Sequence, residues 1–365
     1  PASAGVYPCC SQDGDIVDDR TPSRCHGAEH PTAGRASSAR LAAGDGQHDV
    51  LHRARQLAPG AGFSRCILIF PQEQTCCGLP VFNSGFHVEA CKVASAQVKS
   101  AILLAGLHAP GATSVIELRP TRDHTERMLK YFGADITVEE IAAGNKITII
   151  GQPELIPTEV TVPGDPSSAA FPVVAALLIK GSKIKLPGIC KNPNRIGVYT
   201  TLLEMGASLE WKNERQVGGE TVADLYVKSS ELNGVTVPAE RAPSMIDEYP
   251  ALAMAAACAS GSSVFCGVGE LRYKESDRIT AILSGLTECG VSAEVDGDSL
   301  IIHGSSTEPV GGITINALMD HRIAMSFLVL GLKSKEAITI DEGSSIYTSF
   351  PNFIEIMRGI GADIS

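Results

Sequence analysis

The run VGELRYKESDRITAILSGLTECG, Val268 to Gly290, sets Lys274, Glu275, Asp277 and Arg278 directly before an apolar pattern of helical period. Two bases and two acids there can form a solvated helix terminus, or a strip that moves protons and grips an anion. Similar groups recur: Ser95, Ala96, Gln97 and Lys99; Arg122, Asp123 and His124; the runs GDPSSA and NPNRIG; Asp247 and Glu248; and Asp320, His321 and Arg322. Each also has a structural reading. Asp123 and Arg127 read as an ion pair within one helix start, Asp165, Ser167, Ser168, Asp277 and Asp320 as caps, and His124 and His321 as hydrogen-bonded structural histidines. Asp247 and Glu248 head an almost uncharged helix, a poor fit to a solvated face.

These groups mark the starts of a unit that recurs four times from Ala94 onward. Each copy has a polar start, an aliphatic helix, a glycine-marked turn, a β-branched strand, a second helix and a closing Gly with a small partner. The copies start at Ser95, Ser167, Asp247 and Asp320, so they are 72, 80 and 73 residues apart, longer than solenoid repeats of about 20 to 50. The pattern predicts β-α-β-α-β units of a compact α/β (α+β) protein. Ser or Asp at each start suits the capping of free N–H groups, and Pro250 falls in a first turn. Packed in parallel, several helix N-termini would point one way and form an anion site.

A chain of 365 residues exceeds the usual size of one core, so two domains are expected. No apolar run reaches membrane-spanning length, which predicts a soluble protein without a membrane partner. A formal net charge of -11 argues against nucleic acid as a partner, so any anion site must be local. Eleven cysteines in so long a chain, with no leader pattern at its start, fit a reducing cytoplasm.

The runs ASAQVKSA, PTRDHTERML, GDPSSAAFP, APSMIDEYP, ELRYKESDR and DHRIAMSFLV, in this order over Ala94 to Ser365, resemble the 5-enolpyruvylshikimate-3-phosphate (EPSP) synthase family, of the bacterial type that is relatively insensitive to glyphosate. The resemblance implies two domains of repeated βαβαββ units with the active site in the cleft between them. It implies transfer of the enolpyruvyl group of phosphoenolpyruvate to the 5-hydroxyl of shikimate 3-phosphate, releasing phosphate, by a monomer with no metal or organic cofactor. Ser95, Ala96, Gln97 and Arg122 then resemble shikimate 3-phosphate ligands. Asp247, helped by Lys274, resembles the base for the 5-hydroxyl, and Glu275 the group exchanging a proton with the methylene. Arg278 and Arg322 resemble clamps on phosphoenolpyruvate. A transferase acting on UDP-N-acetylglucosamine, or a remnant that binds phosphate esters without chemistry, are the alternatives.

Two family features do not occur: an early Lys-Ser-x-Ser-x-Arg motif and a later Asn-Ala-Gly-Thr loop. The first lysine is Lys92, and Asn83 is the only asparagine before it. Residues 1–78 show no sustained period and read as an unrelated segment, 79–163 as a remnant of the first domain and 164–365 as the second. Cys9, Cys10, Cys25, His26 and His30 match no paired Cys-x-x-Cys spacing, so no metal site is expected there. Impaired turnover is expected.

Overall fold

Three consecutive stretches fold with one connectivity, helix, strand, helix, hairpin, and each arranges its strands in the same order. The computed structural model describes residues 40–42, 65–69, 77–83, 86–94, 96–305 and 307–365, with backbone strands alone before residue 95. Those strands, β1 (Arg40–Ala42), β2 (Arg65–Ile69), β3 (Cys77–Asn83) and β4 (Phe86–Ala94), form one sheet in chain order. The boundary expected at residue 78 falls inside β3. The chain divides into residues 1–37 and 38–365, and every described residue belongs to the second unit. Cys9, Cys10, Cys25, His26, His30 and Ser95 lie outside the described residues.

The first unit is α1 (Ala96–Gly106), β5 (Ala112–Glu117), α2 (His124–Tyr131), β6 (Ile136–Ile141) and β7 (Gly144–Ile150). The second is α3 (Pro166–Leu178), β8 (Lys183–Cys190), α4 (Gly197–Glu204), β9 (Ser208–Val217) and β10 (Glu220–Lys228). After β11 (Thr236–Val237), the third is α5 (Tyr249–Ala257), β12 (Gly261–Phe265), α6 (Arg278–Glu288), β13 (Ser292–Asp296) and β14 (Ser299–Gly304). Their sheets run β5-β7-β6, β8-β10-β9 and β12-β14-β13, antiparallel throughout, with β11 added parallel to β12. Gly297-Asp298 turns the third hairpin, with Gly297 at φ 57° as such a tight turn requires.

The fourth copy differs. Its β15 (Thr314–Ile315), α7 (His321–Gly331) and β16 (Thr339–Ile340) lead to α8 (Ser344–Ser349) and α9 (Phe353–Gly359), and the closing strand predicted at MRGIGADIS does not form. Among the described residues β15 and β16 pair only with each other, so a strand there has no hairpin partner to supply its ladder bonds.

Among the described residues the apolar core is split. One cluster runs from Val98 to Ile149, and a larger one from Ala170 to Ile364. In the larger, α3, α5 and α7 pack against one another, and α5 (YPALAMAAA) is buried along its whole length, as an all-apolar helix must be. Gly285 of α6 lets the Phe327 ring of α7 approach so closely that a Cβ there would overlap it. The helix starts converge: Ser167 of α3 bonds Glu248 before α5, while Arg278 of α6 bonds Asp247 before α5 and Asp320 before α7. The starts of α3, α5 and α7 thus come together, as the repeat leads one to expect of its last three copies. No helix among the described residues is long and apolar enough to cross a membrane.

Candidate active site

The strip from Lys274 to Arg278 lies between a 3-10 turn, Gly269–Tyr273, and the body of α6. Asp277 caps α6, accepting from the Thr280 N–H at 3.1 Å and its hydroxyl at 2.7 Å. Arg278 follows as the first helical residue and is fully buried. Its guanidinium donates from Nε to Asp320 Oδ2 at 2.8 Å, from Nη2 to Asp320 Oδ1 at 3.3 Å and Glu275 Oε2 at 2.5 Å, and from Nη1 to Asp247 Oδ1 at 3.5 Å. Such a fork holds three carboxylates in one plane-directed geometry, which an ammonium cannot do. Asp320 is equally buried and also caps α7 through the Arg322 N–H, 2.9 Å.

Asp247 is the meeting point of cations from distant parts of the chain. Arg122, from the turn before α2, donates Nη2 to its Oδ2 at 2.6 Å, and Lys274 Nζ stands 3.9 Å from Oδ1 while bonding Glu270 at 2.9 Å. Burial alone would raise the Asp247 carboxyl, but Arg322, Arg122 and Lys274 outweigh it and hold the group well below the usual carboxylate range. Glu275 is about half exposed. Arg322, half-buried, acts on Asp247 through its field. The structure therefore brings Arg122, Asp247, Lys274, Glu275, Arg278 and Arg322 to one place. Ala96 and Gln97 stand at the start of α1, Gln97 exposed to solvent.

A second polar network backs this one. Arg195 donates Nη2 to Asp165 Oδ1 and to Ser167 Oγ, both at 2.8 Å, and Ser167 donates to Glu248. Burial raises the Glu248 carboxyl, with Ser167 opposing and Asp247 adding to the shift. Arg195 Nη1 also lies 3.3 Å from His124 Nε2, so that nitrogen accepts and Nδ1 donates to Glu220 Oε1 at 2.5 Å. Glu220 Oε2 takes Asn192 Nδ2 at 3.2 Å and has Arg127 Nε at 3.8 Å.

His124, Cys190 and Glu220 offer donor atoms within 4.8 Å of one another. Two guanidiniums already face this cluster, and burial pushes the Cys190 thiol up. The set suits an ion-pair junction better than a cation.

Several sequence expectations meet the structure directly. Asp123 pairs with Arg127 at 2.7 Å, and Asp165 and Asp320 are caps. Ser167 is not a cap, because its hydroxyl is drawn to Glu248. The cap position of α5 falls on Glu248, not Asp247, and carries no side-chain cap bond, since both carboxylates are claimed by long-range partners. Lys99 is a buried structural cation, 2.8 Å from Glu117 and 2.7 Å from Glu126; Glu117 in turn holds the Thr121 N–H at 3.0 Å, next to Arg122. In sequence, NPNRIG gives Arg195 no evident task, and nothing in GGET marks Glu220.

A protein-family model described as EPSP synthase (3-phosphoshikimate 1-carboxyvinyltransferase) matches residues 83–357. The chain belongs to the EPSP synthase family. The match begins eleven residues before ASAQVKSA, the first of the six motifs. The chain is 60% identical over 271 residues to the 3-phosphoshikimate 1-carboxyvinyltransferase of Cereibacter sphaeroides, covering 74% of this chain and 61% of that protein. The EPSP synthase of Acinetobacter baumannii superposes with a TM-score of 0.73 at 45% identity, over 78% of this chain and 64% of that one. NikO, an enolpyruvyl transferase from Streptomyces tendae, shares the fold at 21% identity, with a TM-score of 0.56 over 72% of this chain and 58% of that one. The chain thus spans 61% of the length of the curated EPSP synthases it matches.

Proposed function

We propose that this chain carries the larger share of an enolpyruvyl transferase site that moves the enolpyruvyl group of phosphoenolpyruvate to the 5-hydroxyl of shikimate 3-phosphate and releases phosphate. The observation that carries the reading is the Asp247 carboxylate ringed by Arg122, Lys274, Arg278 and Arg322 beside Glu275. The matched relatives are named for this acceptor, which favours it over UDP-N-acetylglucosamine. Residues 79–163 act as the remnant of one domain and 164–365 as the other, in keeping with two separate apolar cores.

In this reading Ser95, Ala96, Gln97 and Arg122 take shikimate 3-phosphate, and Arg278 and Arg322 take phosphoenolpyruvate. Asp247, assisted by Lys274, accepts the 5-hydroxyl proton as that oxygen bonds C2 of phosphoenolpyruvate. Glu275 delivers a proton to C3, making a methyl group, and takes one back as phosphate leaves. A carboxylate held so low is a weak base until substrate phosphates neutralise the surrounding cations. The pocket therefore becomes basic when it is filled.

The cations of the Lys-Ser-x-Ser-x-Arg and Asn-Ala-Gly-Thr segments are missing from the matched region. The absence of one charge-assisted hydrogen bond costs about 1.5–3 kcal/mol, so the absence of three removes roughly three to six powers of ten in rate. The test is phosphate release from phosphoenolpyruvate with and without shikimate 3-phosphate. Little or none is expected from the chain as it stands, and acceptor-dependent release once residues 1–78 are replaced by a family front segment. Release independent of the acceptor, or silence in the restored chain, refutes the assignment.

A further inference from the structure

Glu248 is a carboxyl next to Asp247 in the chain that the proposed chemistry does not use. It is 1% exposed. Among the described residues its Oε1 accepts from the Ser167 hydroxyl, and its Oε2 is buried with no hydrogen-bond partner. The groups around it are committed elsewhere. Arg195 gives Nη2 to Asp165 and Ser167 and Nη1 to His124, and its Nε is itself buried without a partner. The Tyr199 hydroxyl of α4 donates to the Pro166 carbonyl at 2.6 Å, and the Tyr249 hydroxyl of α5 has no partner. Arg122 is bonded to Asp247, and Arg322 of α7 acts on Glu248 through its field.

Among the described residues no cation therefore bonds this carboxyl, while Asp247 beside it is held in its charged form. An unpaired charge in such a place is costly, and the group takes up a proton instead. Burial is the largest influence on it and acts in that direction, as does Asp247; Ser167, Arg195 and Arg322 act against it. Ser167 fixes where the proton sits. Its oxygen accepts from Arg195, so its own hydrogen goes to Glu248 Oε1, and Oε2 is the oxygen left to carry a proton.

We propose that Glu248 stands as the neutral acid, protonated on Oε2, and acts as a positioning residue for the Asp247 site: it gives Ser167 and Arg195 an acceptor to close on without placing a second negative charge beside Asp247. Ionised, it would weaken the pull of Arg122, Arg195 and Arg322 on any incoming anion. This effect on anion binding rests on the proposed function, whereas the protonation of Glu248 does not.

The test compares the 365-residue chain with Glu248→Gln, whose amide matches the neutral acid in shape and places a donor where Oε2 stands. Infrared difference spectra at pH 6, where a solvated glutamate is ionised, should show a protonated-carboxyl band in the chain that the variant lacks. The melting temperature should favour the variant by a margin that grows as pH rises from about 4, because the glutamate then ionises in the unfolded chain and not in the folded one. No such band, or a margin that shrinks or reverses with rising pH, overturns the inference. Phosphoenolpyruvate affinity, measured by calorimetry, should be equal in the two proteins at pH 6. Once the pH is raised until the band is lost, the chain should fall at least about tenfold behind the variant. Equal affinities at that pH overturn the positioning role. Phosphoenolpyruvate bound by neither protein, with the band present, leaves the neutral acid standing and counts against the proposed function.

Discussion

Asp320→Ala removes the principal partner of a guanidinium that has no access to water. Arg278 and Asp320 are both fully buried and share two hydrogen bonds, 2.8 and 3.3 Å. Breaking a buried pair by deleting one member typically costs about 3–5 kcal/mol, because the other charge stays behind unpaired. Here Glu275 at 2.5 Å and Asp247 at 3.5 Å remain and place the cost at the low end. The same carboxylate caps α7, and removing a cap adds about 1 kcal/mol. The expected total is roughly 4 kcal/mol, or about 8–16 °C in melting temperature. Urea unfolding followed by circular dichroism measures it, with the slope in urea checked for unchanged cooperativity. Asp320→Leu combined with Arg278→Met should be less destabilised than Asp320→Ala alone, because no orphaned charge remains. A destabilisation below about 1 kcal/mol for Asp320→Ala, or a double variant less stable than the single one, refutes the reasoning.

Gly285→Ala drives a methyl group into the Phe327 ring and should cost about 1–3 kcal/mol, seen as a lower urea midpoint with unchanged slope. In a chain with a restored family front, Asp247→Asn should lower kcat by about 10²–10⁴-fold with little change in KM, measured by phosphate release; an unchanged kcat makes Asp247 a holder of ion pairs only. Asp123, Asp165, Asp247 and Asp320 all titrate below the ordinary value when folded. Their stabilisation is complete above their unfolded value of about 3.9 and disappears as pH falls toward the folded values, so the melting temperature should drop steeply below about pH 4, and less steeply in Asp320→Asn.

What could be read before the fold was known was local. The caps Asp165, Asp277 and Asp320 act on N–H groups two or three residues away, and Asp123 meets Arg127 one helical turn on. Three of the four copies of the repeat were legible because each unit carries its own helix starts and glycine turns, and six motifs in order identified the family. Long-range choices were not legible. Arg278 lies 42 residues from Asp320, and its type alone does not show that a buried carboxylate holds it. Asp247 has the form of a cap, and only its meeting with Arg122, 125 residues earlier, draws it away. The missing last strand reflects the absence of a hairpin partner among the described residues, which no property of MRGIGADIS encodes.

The 2.6 Å contact between Arg122 and Asp247 makes the chain its own competitor. Any anion that recruits Arg122 must first take it from a carboxylate already in place, so the binding-competent population is a fraction of the whole and apparent affinity falls by that fraction. If the contact is worth about 1 kcal/mol, the handicap is roughly fivefold. It eases as salt weakens this partly exposed pair, although salt also weakens the incoming anion's own attraction. Ionic strength then enters twice with opposite signs, and binding should pass through a maximum along a salt series instead of declining from the start.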